Sequence, residues 1–539
     1  MLILLTTLVS SLQISYGNSV PIPKLIEIGL FFSNSAKSTV TLQSSTGFQL
    51  GQYTGDSFNS LITFLDINDI TLRKDNYYIN NNGIYVEYTG STNSIPSNLA
   101  IQGPYHVQIG GAYQNAEEAN GAIAVITGIE EKPYIVYEDG WKVFVGLYLN
   151  EAIAQEKAAA YMQQLNQETS VIQPSANRVQ AINKQGIPIF MYDSQQSLYF
   201  EAFSDKGALA LITIEGTRFR GGVTAKRAAN SDMTIINKLP LEEYLYGVVP
   251  KEMPSSWPLE ALKAQAVAAR GFAVTTLNKY RSLGFDLCNT TSSQVYGGYN
   301  IEVASSNRAV DETKGKIITH NGKPVVPYYH SNSGGQTENS ENIWSGVLAH
   351  IRGVKDGFSL GVPTATWNKV IATSELKSIL EKEQIQIGEV LDVKVTSVSE
   401  NGRVLTLIVY GTQGQEIMNK ERSRRLFGLR STWFTVAPSS EGLITARGAE
   451  DNSITNINLQ GKEVMTASGI KKITNTSNIA IYNGTSYKNV AAKPDAFVFD
   501  GRGFGHGLGM SQHGARKMAE SNYTYEQILK YYYMGIKVE

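Results

Sequence analysis

The sequence predicts an α+β protein with a β-rich core, one long helix and a small inserted ferredoxin-like domain. Three observations indicate this class. Many short segments alternate apolar and polar residues between Gly, Ser and Asn turns, as half-buried β-strands do. A strand–helix pattern occurs twice between residues 105 and 165, and one later segment has apolar residues at helical spacing. The 539 residues suffice for about three or four folding units.

Composition excludes several classes of protein. With 42% hydrophobic and 18% charged residues, the chain is globular rather than disordered or fibrous. Its 47 Lys and Arg against 48 Asp and Glu give a net charge of −1. We therefore expect no nucleic-acid partner, although a local basic groove stays open. The single cysteine, Cys288, excludes an intrachain disulfide and a Cys-x-x-Cys metal site, which leaves carboxylates, hydroxyls and six histidines for chemistry.

Residues 1–19 are uncharged, begin with a short apolar run and become small and polar near Ser15. This pattern resembles the hydrophobic and cleavage regions of a secretory signal. A positive N-terminal region is missing, so a short anchor, a mis-assigned start or a buried first strand stays open. No later run reaches the ~20 apolar residues of a membrane span. We expect a secreted protein, attached to a membrane only through an uncleaved N-terminus. Without disulfides it suits the cell envelope of a Gram-positive bacterium.

The segment over residues 25–100 predicts a small β-rich module. Residues 26–50 alternate apolar and polar side chains around Ser-Thr-Gly turns, and residues 70–88 form two strand-like halves about an Asn-Asn-Asn-Gly turn. Neither stretch contains a catalytic grouping.

Residues 101–170 contain an internal repeat, the strand–helix pattern that occurs twice. Each copy has a strand, a glycine and then an asparagine, Asn115 or Asn150, that can cap a helix, and an Asp139-Gly140 pair predicts a hairpin between the copies. The predicted helices cover residues 116–126 and 151–165. Two such halves on one sheet form a ferredoxin-like plait. The segment resembles a SPOR-type domain, a fold that binds glycan strands without stem peptides. The alternative is a structural insert without a ligand.

The long helix is predicted over residues 258–280, about six turns. Ser255 and Ser256 are candidate N-caps, and Pro258 suits the first turn. The residues of the apolar face are Leu259, Leu262, Ala266, Ala269, Ala273 and Leu277.

Glu252 comes just before this helix in a mostly apolar loop. A carboxyl group in such surroundings loses hydration, which raises its pKa and suits it to donate a proton. Lys251 and the following helix N-terminus oppose that shift. Alone, Glu252 would be read as an ordinary loop acid.

Residues 238–280 resemble the signature of the stage II sporulation protein D family, which includes the amidase enhancers. Four further stretches resemble the family in the same order, namely 294–298, 329–338, 424–431 and 501–515. The resemblance runs from about residue 205 to the C-terminus. It implies a catalytic domain over 195–539, in which residues of about 437–495 are a β insertion without an assigned role.

The resemblance implies a peptidoglycan lytic transglycosylase that cuts the MurNAc–GlcNAc β-1,4 bond and leaves 1,6-anhydro-MurNAc ends. A hydrolase uses two carboxylates, whereas here the C6 hydroxyl replaces water and Glu252 acts as acid and then base. Two alternatives stay open: a glycan-binding amidase enhancer that does not cut, and a hydrolase with a second carboxylate. The implied partners are glycan strands, with stem peptides already removed, and a cell-wall amidase.

Several side chains in these motifs suit a carbohydrate groove. Tyrosine faces can support sugar rings, and hydroxyl, amide, imidazole and guanidinium groups can bind their substituents. Core packing, turn formation and ordinary charge are the alternatives. Lys263 lies on the same side of the predicted long helix as Arg270. The glycines of residues 501–509 do not have the G-x-G-x-x-G spacing of a dinucleotide-binding loop, so we predict no dinucleotide site there. The predicted substrate-binding residues are Arg270, Tyr296, Tyr329, His330, Ser331, Ser333, His506 and Gln512.

Some members of the family carry a metal-binding Cys, His and Cys set after the long helix. This chain keeps Cys288 but has Ser292 and Ser293 where the His and second Cys would stand. Because hydroxyls are poor zinc ligands, we predict no structural zinc and no cofactor.

Overall fold

A computed structural model describes residues 22–81, 84–90, 100–205, 207–228, 231–439, 443–447, 454–458, 462–466, 468–472, 479–482, 487–490 and 494–539. The predicted signal or anchor over residues 1–19 lies outside them. The chain forms two compact units. We call Pro21–Ser255 with Ala273–Gly315 the N-terminal unit, and Ser256–Phe272 with Lys316–Glu539 the C-terminal unit.

Helices are interspersed among the strands in the described part of the chain. The helices are α1 (Ala116–Val125), α2 (Glu151–Leu165), α3 (Leu241–Tyr246), α4 (Val249–Glu252), α5 (Leu259–Thr275), α6 (Ala304–Asp311), α7 (Ser340–Ile343), α8 (Thr373–Lys382), α9 (Glu421–Leu426), α10 (Gln512–Glu520) and α11 (Tyr525–Tyr532). The strands of the N-terminal unit are β1 (Leu25–Phe31), β2 (Thr39–Gln43), β3 (Phe48–Thr54), β4 (Ser57–Phe64), β5 (Asp69–Lys74), β6 (Tyr78–Asn81), β7 (Ile84–Glu87), β8 (Ile101–Gln102), β9 (Tyr105–Ile109), β10 (Tyr134–Tyr137), β11 (Trp141–Tyr148), β12 (Thr169–Ile172), β13 (Arg178–Ile182), β14 (Pro188–Asp193), β15 (Tyr199–Ala202), β16 (Ile212–Ile214), β17 (Thr217–Phe219), β18 (Gly222–Lys226), β19 (Thr234–Pro240) and β20 (Leu287–Cys288).

The strands of the C-terminal unit follow. They are β21 (Ile318–His320), β22 (Lys323–Pro324), β23 (Tyr329–His330), β24 (Thr366–Ala372), β25 (Val390–Val398), β26 (Val404–Gly411), β27 (Gly414–Asn419), β28 (Phe434–Pro438), β29 (Leu443–Arg447), β30 (Ile454–Asn458), β31 (Glu463–Thr466), β32 (Gly469–Lys472), β33 (Ile479–Tyr482), β34 (Tyr487–Val490), β35 (Ala496–Arg502), β36 (Met510–Ser511) and β37 (Ile536–Val538). This mixture of many sheets with helices confirms the α+β class.

Two large sheets organise the N-terminal unit. One has the order β20-β1-β19-β18-β15-β3-β4, and the other has the order β12-β9-β11-β10-β14-β13-β5-β2-β16-β17. Strand β1 buries Ile26, Ile28 and Leu30, which are alternate residues, as its sequence pattern predicted. The strands of residues 25–100 pair with distant partners: β1 with β19, β3 with β15 and β5 with β13. Most of these strands are therefore shared with later segments, whereas β6 and β7 form a small separate sheet with β8.

The repeat region has the predicted order of elements. Strands β12-β9-β11-β10 are antiparallel neighbours with α1 and α2 between them in sequence, which is the ferredoxin-like arrangement. Asn115 and Asn150 cap the two helices by accepting from the backbone N–H of Glu118 and Ile153. However, β10 also pairs with β14 in parallel, so the four strands are one end of the ten-stranded sheet rather than a separate insert. The SPOR-like assignment stays a prediction.

Helix α5 is shorter than expected. It covers 17 residues and ends at Thr275, and Asn278 a few residues later has the left-handed φ of 61°. It begins at Leu259, where Pro258 accepts the first intrahelical bonds, so Ser255 and Ser256 do not start it. Helix α2, with 15 residues, is nearly as long as α5, so the expectation of a single long helix is not confirmed. Among the described residues, no helix is long and apolar enough to cross a membrane.

The C-terminal unit contains small sheets around its own core. Strands β24-β35-β28 and β25-β26-β27 pack with α8 around buried residues such as Leu376, Val404, Phe497 and Phe499. Over the predicted β insertion, the described backbone forms three hairpins, β29–β30, β31–β32 and β33–β34. A further two-stranded ladder, β23–β36, joins the segments that carry the motif residues.

Candidate functional site

Glu252 is the last residue of α4 rather than part of a loop. Pro250 near the start of α4 favours helical geometry because its missing N–H costs nothing there. Met253 is extended, as expected of a residue that precedes a proline, and this ends the helix. The Glu252 side chain is therefore held at the C-terminal end of a short, defined helix, and it is half-buried.

The carboxyl group of Glu252 lies near the completely buried phenol of Tyr244. Burial raises the pKa of Tyr244 well above its usual value, and the negative charge of Glu252 raises it further. The Tyr244 hydroxyl is 3.4 Å from Oε1 of Gln294. Glu252 thus has a low-dielectric neighbour on one side, which is the surrounding a proton-transferring carboxyl needs.

Tyr296 supports this segment from the core. Its ring is 6% exposed, lies 5.2 Å from the ring of Tyr244, and its hydroxyl donates to Oδ1 of Asn237 at 3.1 Å. A Cβ on Gly247, which ends α3, would come within 2.5 Å of the Tyr296 ring. The expectation that Tyr296 offers a face to a sugar is wrong for this conformation, because its hydroxyl and ring are used in packing.

Glu243 on α3 is another half-buried carboxyl group of the N-terminal unit. Burial raises the pKa of Glu243 on α3, Arg220 at 4.0 Å opposes the shift, and Glu302 adds to it. Its neighbourhood is therefore charged, through Arg220 and Glu302. Only the packing of α3 reveals this group.

In the C-terminal unit, β23 and β36 bring two motifs together although 181 positions separate the paired residues. Tyr329 lies opposite Met510, and His330 lies opposite Ser511. Nδ1 of His330 is 3.0 Å from the carbonyl of Leu508, so Nδ1 carries the proton. Burial lowers the pKa of His330 well below its usual value, and the charges of His506 and Arg403 lower it further. The residue is 4% exposed, so it is a buried neutral imidazole.

His506 lies beside it, with ring centroids 5.5 Å apart, and is half-buried. The N–H of Leu508 donates to Nδ1 of His506 at 3.0 Å. Burial, then Arg424 and Arg403, lower the pKa of His506 to about 3. A neutral imidazole with so low a pKa does not act as a general acid near neutral pH. It can orient a ligand by hydrogen bonding.

In the turn that contains Ser331 and Ser333, one hydroxyl is accessible and the other is not. Ser333 is completely buried, donates to Oδ2 of Asp356 at 2.7 Å and lies 2.7 Å from Oγ of Ser359. It therefore braces the turn, which corrects the expectation that it binds substrate. Ser331 is half-buried and Tyr329 beside β36 is half-buried as well, so both stay available as ligand contacts.

Two other predicted contacts are buried. Arg270 is completely buried in α5 and donates to the carbonyl of Lys316 at 3.0 Å, so its expected contact with a sugar is wrong for this conformation. Gln512, 7% exposed, is the first residue of α10, and its amide is 3.3 Å from Oε1 of Gln265. Ser511 caps α10 by accepting from the backbone N–H of Gly514. Arg270 and Gln512 are therefore both used in internal contacts. We call the surface formed by Tyr329, His330, Ser331 and His506 the histidine wall.

A buried charged pair beneath the wall was not foreseen. Arg403 is completely buried, donates from Nη2 to the carbonyl of Ser333 at 3.2 Å, and lies directly under Gly507. Gly507 has φ of 84°, and a Cβ there would come within 2.2 Å of the guanidinium. Burial lowers the pKa of Arg403 to about 10, and the negative charge of Glu338, which is also completely buried, opposes that shift. The alternating glycines thus allow backbone to cover a buried cation.

The region around Cys288 does not fit a metal ion. The thiol is buried and surrounded by hydroxyl groups of Thr290 (3.2 Å), Ser293 (3.4 Å) and Tyr280 (3.5 Å). Across the ranges given above, no three or more His, Cys, Asp or Glu side chains come together as a metal site. Neutral hydroxyls are weak zinc ligands, so the residues present do not fit the ion that the family resemblance implied.

Glu252 thus occupies a defined position in the N-terminal unit, and Tyr329, His330, Ser331 and His506 come together in the C-terminal unit. This combination is that of an α+β protein with a half-buried carboxyl on a short helix and a histidine-lined polar wall. Residues 229–320 match the family model described as stage II sporulation protein, and residues 341–462 match a domain of unknown function. Over these matched residues, 229–320, the chain is similar to the stage II sporulation protein D family.

Similar proteins come from several bacteria. The chain is 31% identical over 317 residues to the amidase enhancer of Bacillus subtilis, an alignment that covers 54% of this chain and 39% of that protein. It is 28% identical to the stage II sporulation protein D of Bacillus subtilis, with 58% of this chain and 77% of that protein covered. An uncharacterized protein of Brachyspira hyodysenteriae is 28% identical, with 57% and 69% covered. The chain spans about two fifths of the amidase enhancer's length.

Proposed function

We propose that this protein is an exported peptidoglycan lytic transglycosylase that acts on denuded glycan strands in the cell envelope. It cleaves the MurNAc–GlcNAc β-1,4 bond and leaves 1,6-anhydro-MurNAc ends. The observation that carries this proposal is the position of Glu252, a half-buried carboxyl at the end of α4 inside the family-matched segment. The names of the relatives support a role in cell-wall remodelling during sporulation or cell separation.

In the proposed reaction, Glu252 starts protonated and gives its proton to the glycosidic oxygen, so that the bond between C1 of MurNAc and this oxygen breaks. The C6 hydroxyl of the same MurNAc then bonds to C1, and its proton passes to the Glu252 carboxylate. Glu252 ends protonated, so one group serves both steps and no water is consumed. The buried phenol of Tyr244 keeps water from one side of this carboxyl.

We assign glycan binding, and not proton transfer, to Tyr329, Ser331 and His506. Their half-buried side chains offer an aromatic face, a hydroxyl and a neutral imidazole. The ferredoxin-like end of the ten-stranded sheet is a second proposed glycan contact, because of its resemblance to SPOR-type domains.

The test compares wild-type chain, Glu252→Gln and Glu243→Gln on purified denuded glycan, with products identified by mass spectrometry. Glu252→Gln should abolish release of anhydro ends because the amide cannot donate the proton. Glu243→Gln is the matched control, since it also changes a half-buried carboxyl, and it should retain activity. Circular dichroism checks that both variants fold. Equal product from Glu252→Gln and wild type would refute the assignment, and reducing ends would indicate a hydrolase.

A non-catalytic amidase enhancer is the second candidate, favoured by the name of the relative with 31% identity. In that case, purified chain would bind glycan and stimulate a cell-wall amidase, and it would release neither anhydro nor reducing ends. The same glycan digests, with and without an added amidase, separate the two functions.

A further inference from the structure

A basic pocket in the C-terminal unit has no role in the reaction described above. Its volume is about 600 Å³, within the range of ligand clefts. Four of its ten lining residues are cationic and only Glu421 is acidic. The cations are Lys420, Arg422, Arg424 and Arg425. Because the whole chain has a net charge of −1, this is a local concentration of positive charge.

Two of these four cations are neutralised by ion pairs. Arg424 pairs with Glu421 at 2.6 Å, and Arg422 pairs with Glu416 at 2.7 Å. Among the described residues, no carboxylate forms an ion pair with the other two cations of the pocket, Lys420 and Arg425.

These two cations are positioned differently. Nζ of Lys420 donates to the carbonyls of Glu341 and Trp344, at 2.6 and 2.9 Å. These bonds hold the ammonium group of Lys420 beside the segment that contains Trp344. Arg425 is exposed, and within the described part of the chain no ion pair engages it. A guanidinium in that position is free to take a carboxylate in a bidentate manner.

Trp344 adds an aromatic surface to this charge. Its side chain is 36% exposed and packs by its edge on Tyr328, with centroids 4.4 Å apart, and 5.2 Å from His506. The positive charge of Arg424 also acts on His506, which shows that pocket and histidine wall are electrically close. A ligand that lies along the wall can thus reach both the indole and the cations.

We propose that this pocket is a subsite for a carboxylate-bearing sugar, with Trp344 under the pyranose ring and Arg425 and Lys420 on the carboxylate. On the proposed function, on which this inference rests, that group is the lactyl carboxylate of MurNAc. The carboxylate is free when the stem peptide has been removed and is a neutral amide when the peptide is attached. The pocket would therefore distinguish the two forms of strand. An anionic polymer that carries phosphate would need the cations but not the exposed indole.

The test measures binding by titration calorimetry to the full chain carrying Glu252→Gln, which prevents turnover. The probes are denuded glycan strands, the same strands with their carboxylates converted to methylamides, and chitin oligosaccharides. We expect denuded strands to bind about tenfold more tightly than either neutral probe. Adding Arg425→Gln should remove that preference and leave binding of the neutral probes unchanged. Arg308→Gln, an exposed arginine on α6, is the matched control and should change nothing.

Equal affinity for denuded and amidated strands, or equal weakening of all probes by Arg425→Gln, would overturn the inference. A glycerol phosphate polymer that displaces denuded strands equally well from wild type and from Trp344→Ala would assign the pocket to phosphate. That result would also overturn the inference. These outcomes differ from failure of the proposed function. A chain that prefers carboxylate strands but releases no anhydro ends contradicts only the lyase, whereas a lyase without that preference contradicts only this subsite.

Discussion

The buried carboxylate of Asp75 should contribute strongly to the stability of the N-terminal unit. Its side chain is completely buried and accepts hydrogen bonds from Nη1 of Arg178 (2.7 Å) and Nε2 of Gln180 (2.7 Å). Nε2 of His106 lies 3.2 Å away on β9, while Arg178 and Gln180 belong to β13. The carboxylate thus connects the ferredoxin-like strands to the other half of the ten-stranded sheet.

Asp75→Asn keeps the shape but removes the charge and turns one acceptor into a donor. Arg178 keeps Glu138 as a partner at 2.9 Å, but His106 and Gln180 then face an amide. Removing one member of a buried charged pair costs about 3–5 kcal/mol, which is a large share of a typical domain's stability. We expect a loss of this size in the free energy of unfolding of the sheet.

The pH dependence follows from the same contacts. Burial alone would raise the pKa of Asp75, but His106 and then Arg178 outweigh it and the pKa is lowered. Because the folded pKa lies below the unfolded value of about 3.9, this stabilisation is present above pH ~4 and is lost as pH falls through the folded pKa. Asp75→Asn should therefore lose stability at pH 7 and show a weaker acid transition than wild type.

The assay is hydrogen exchange of the full chain, read by mass spectrometry over peptides from β9 to β14, because a chain with two units need not unfold in one step. Asp139→Asn is the matched control, since Asp139 is exposed in a turn at φ 50° and asparagine tolerates that conformation. If Asp75→Asn and Asp139→Asn differ in opening free energy by less than about 0.5 kcal/mol, the reasoning from buried charge is wrong.

Three further predictions follow from the site. Gly507→Ala should destabilise the C-terminal unit by roughly 1–3 kcal/mol, measured by thermal unfolding, because the new Cβ meets Arg403 at a positive φ; an unchanged melting temperature would contradict the close approach. Tyr296→Phe should cost about 1 kcal/mol by loss of the bond to Asn237 and leave glycan affinity intact; a selective loss of affinity without loss of stability would restore Tyr296 as a sugar contact. His506 should stay neutral in an NMR titration until pH approaches about 3, so its protonation should not shape activity between pH 5 and 8; a titration near pH 6.5 would contradict the buried environment.

The local elements were predictable because their signals lie within a few residues. Asn115 and Asn150 cap helices where an asparagine precedes an apolar run, and Ser511 does the same for α10. The order of strands and helices in the repeat region also followed from spacing. The length of α5 did not, because the apolar spacing continues to Leu277 whereas the helix ends at Thr275.

The site residues divide in the same way. Motif spacing drew attention to His330 and His506, but nothing local shows that β23 and β36 pair, or that Ser333 and Arg270 are spent on internal contacts. Glu243 and Arg403 acquire their interest only from burial, which is a property of the whole fold. Residue type alone therefore overstates how many polar groups are available to a ligand.

By itself, the sequence indicated the fold class through residue type and periodicity, and its ordered motifs, through their resemblance to a family, singled out Glu252. The tertiary structure decided which side chains remain accessible, that the ferredoxin-like strands continue into a ten-stranded sheet, and that the basic stretch 420–425 lies beside Trp344. These features need contacts between residues far apart in the chain. Such contacts are set by the burial of apolar surface and by backbone hydrogen bonding between strands, which no local pattern encodes.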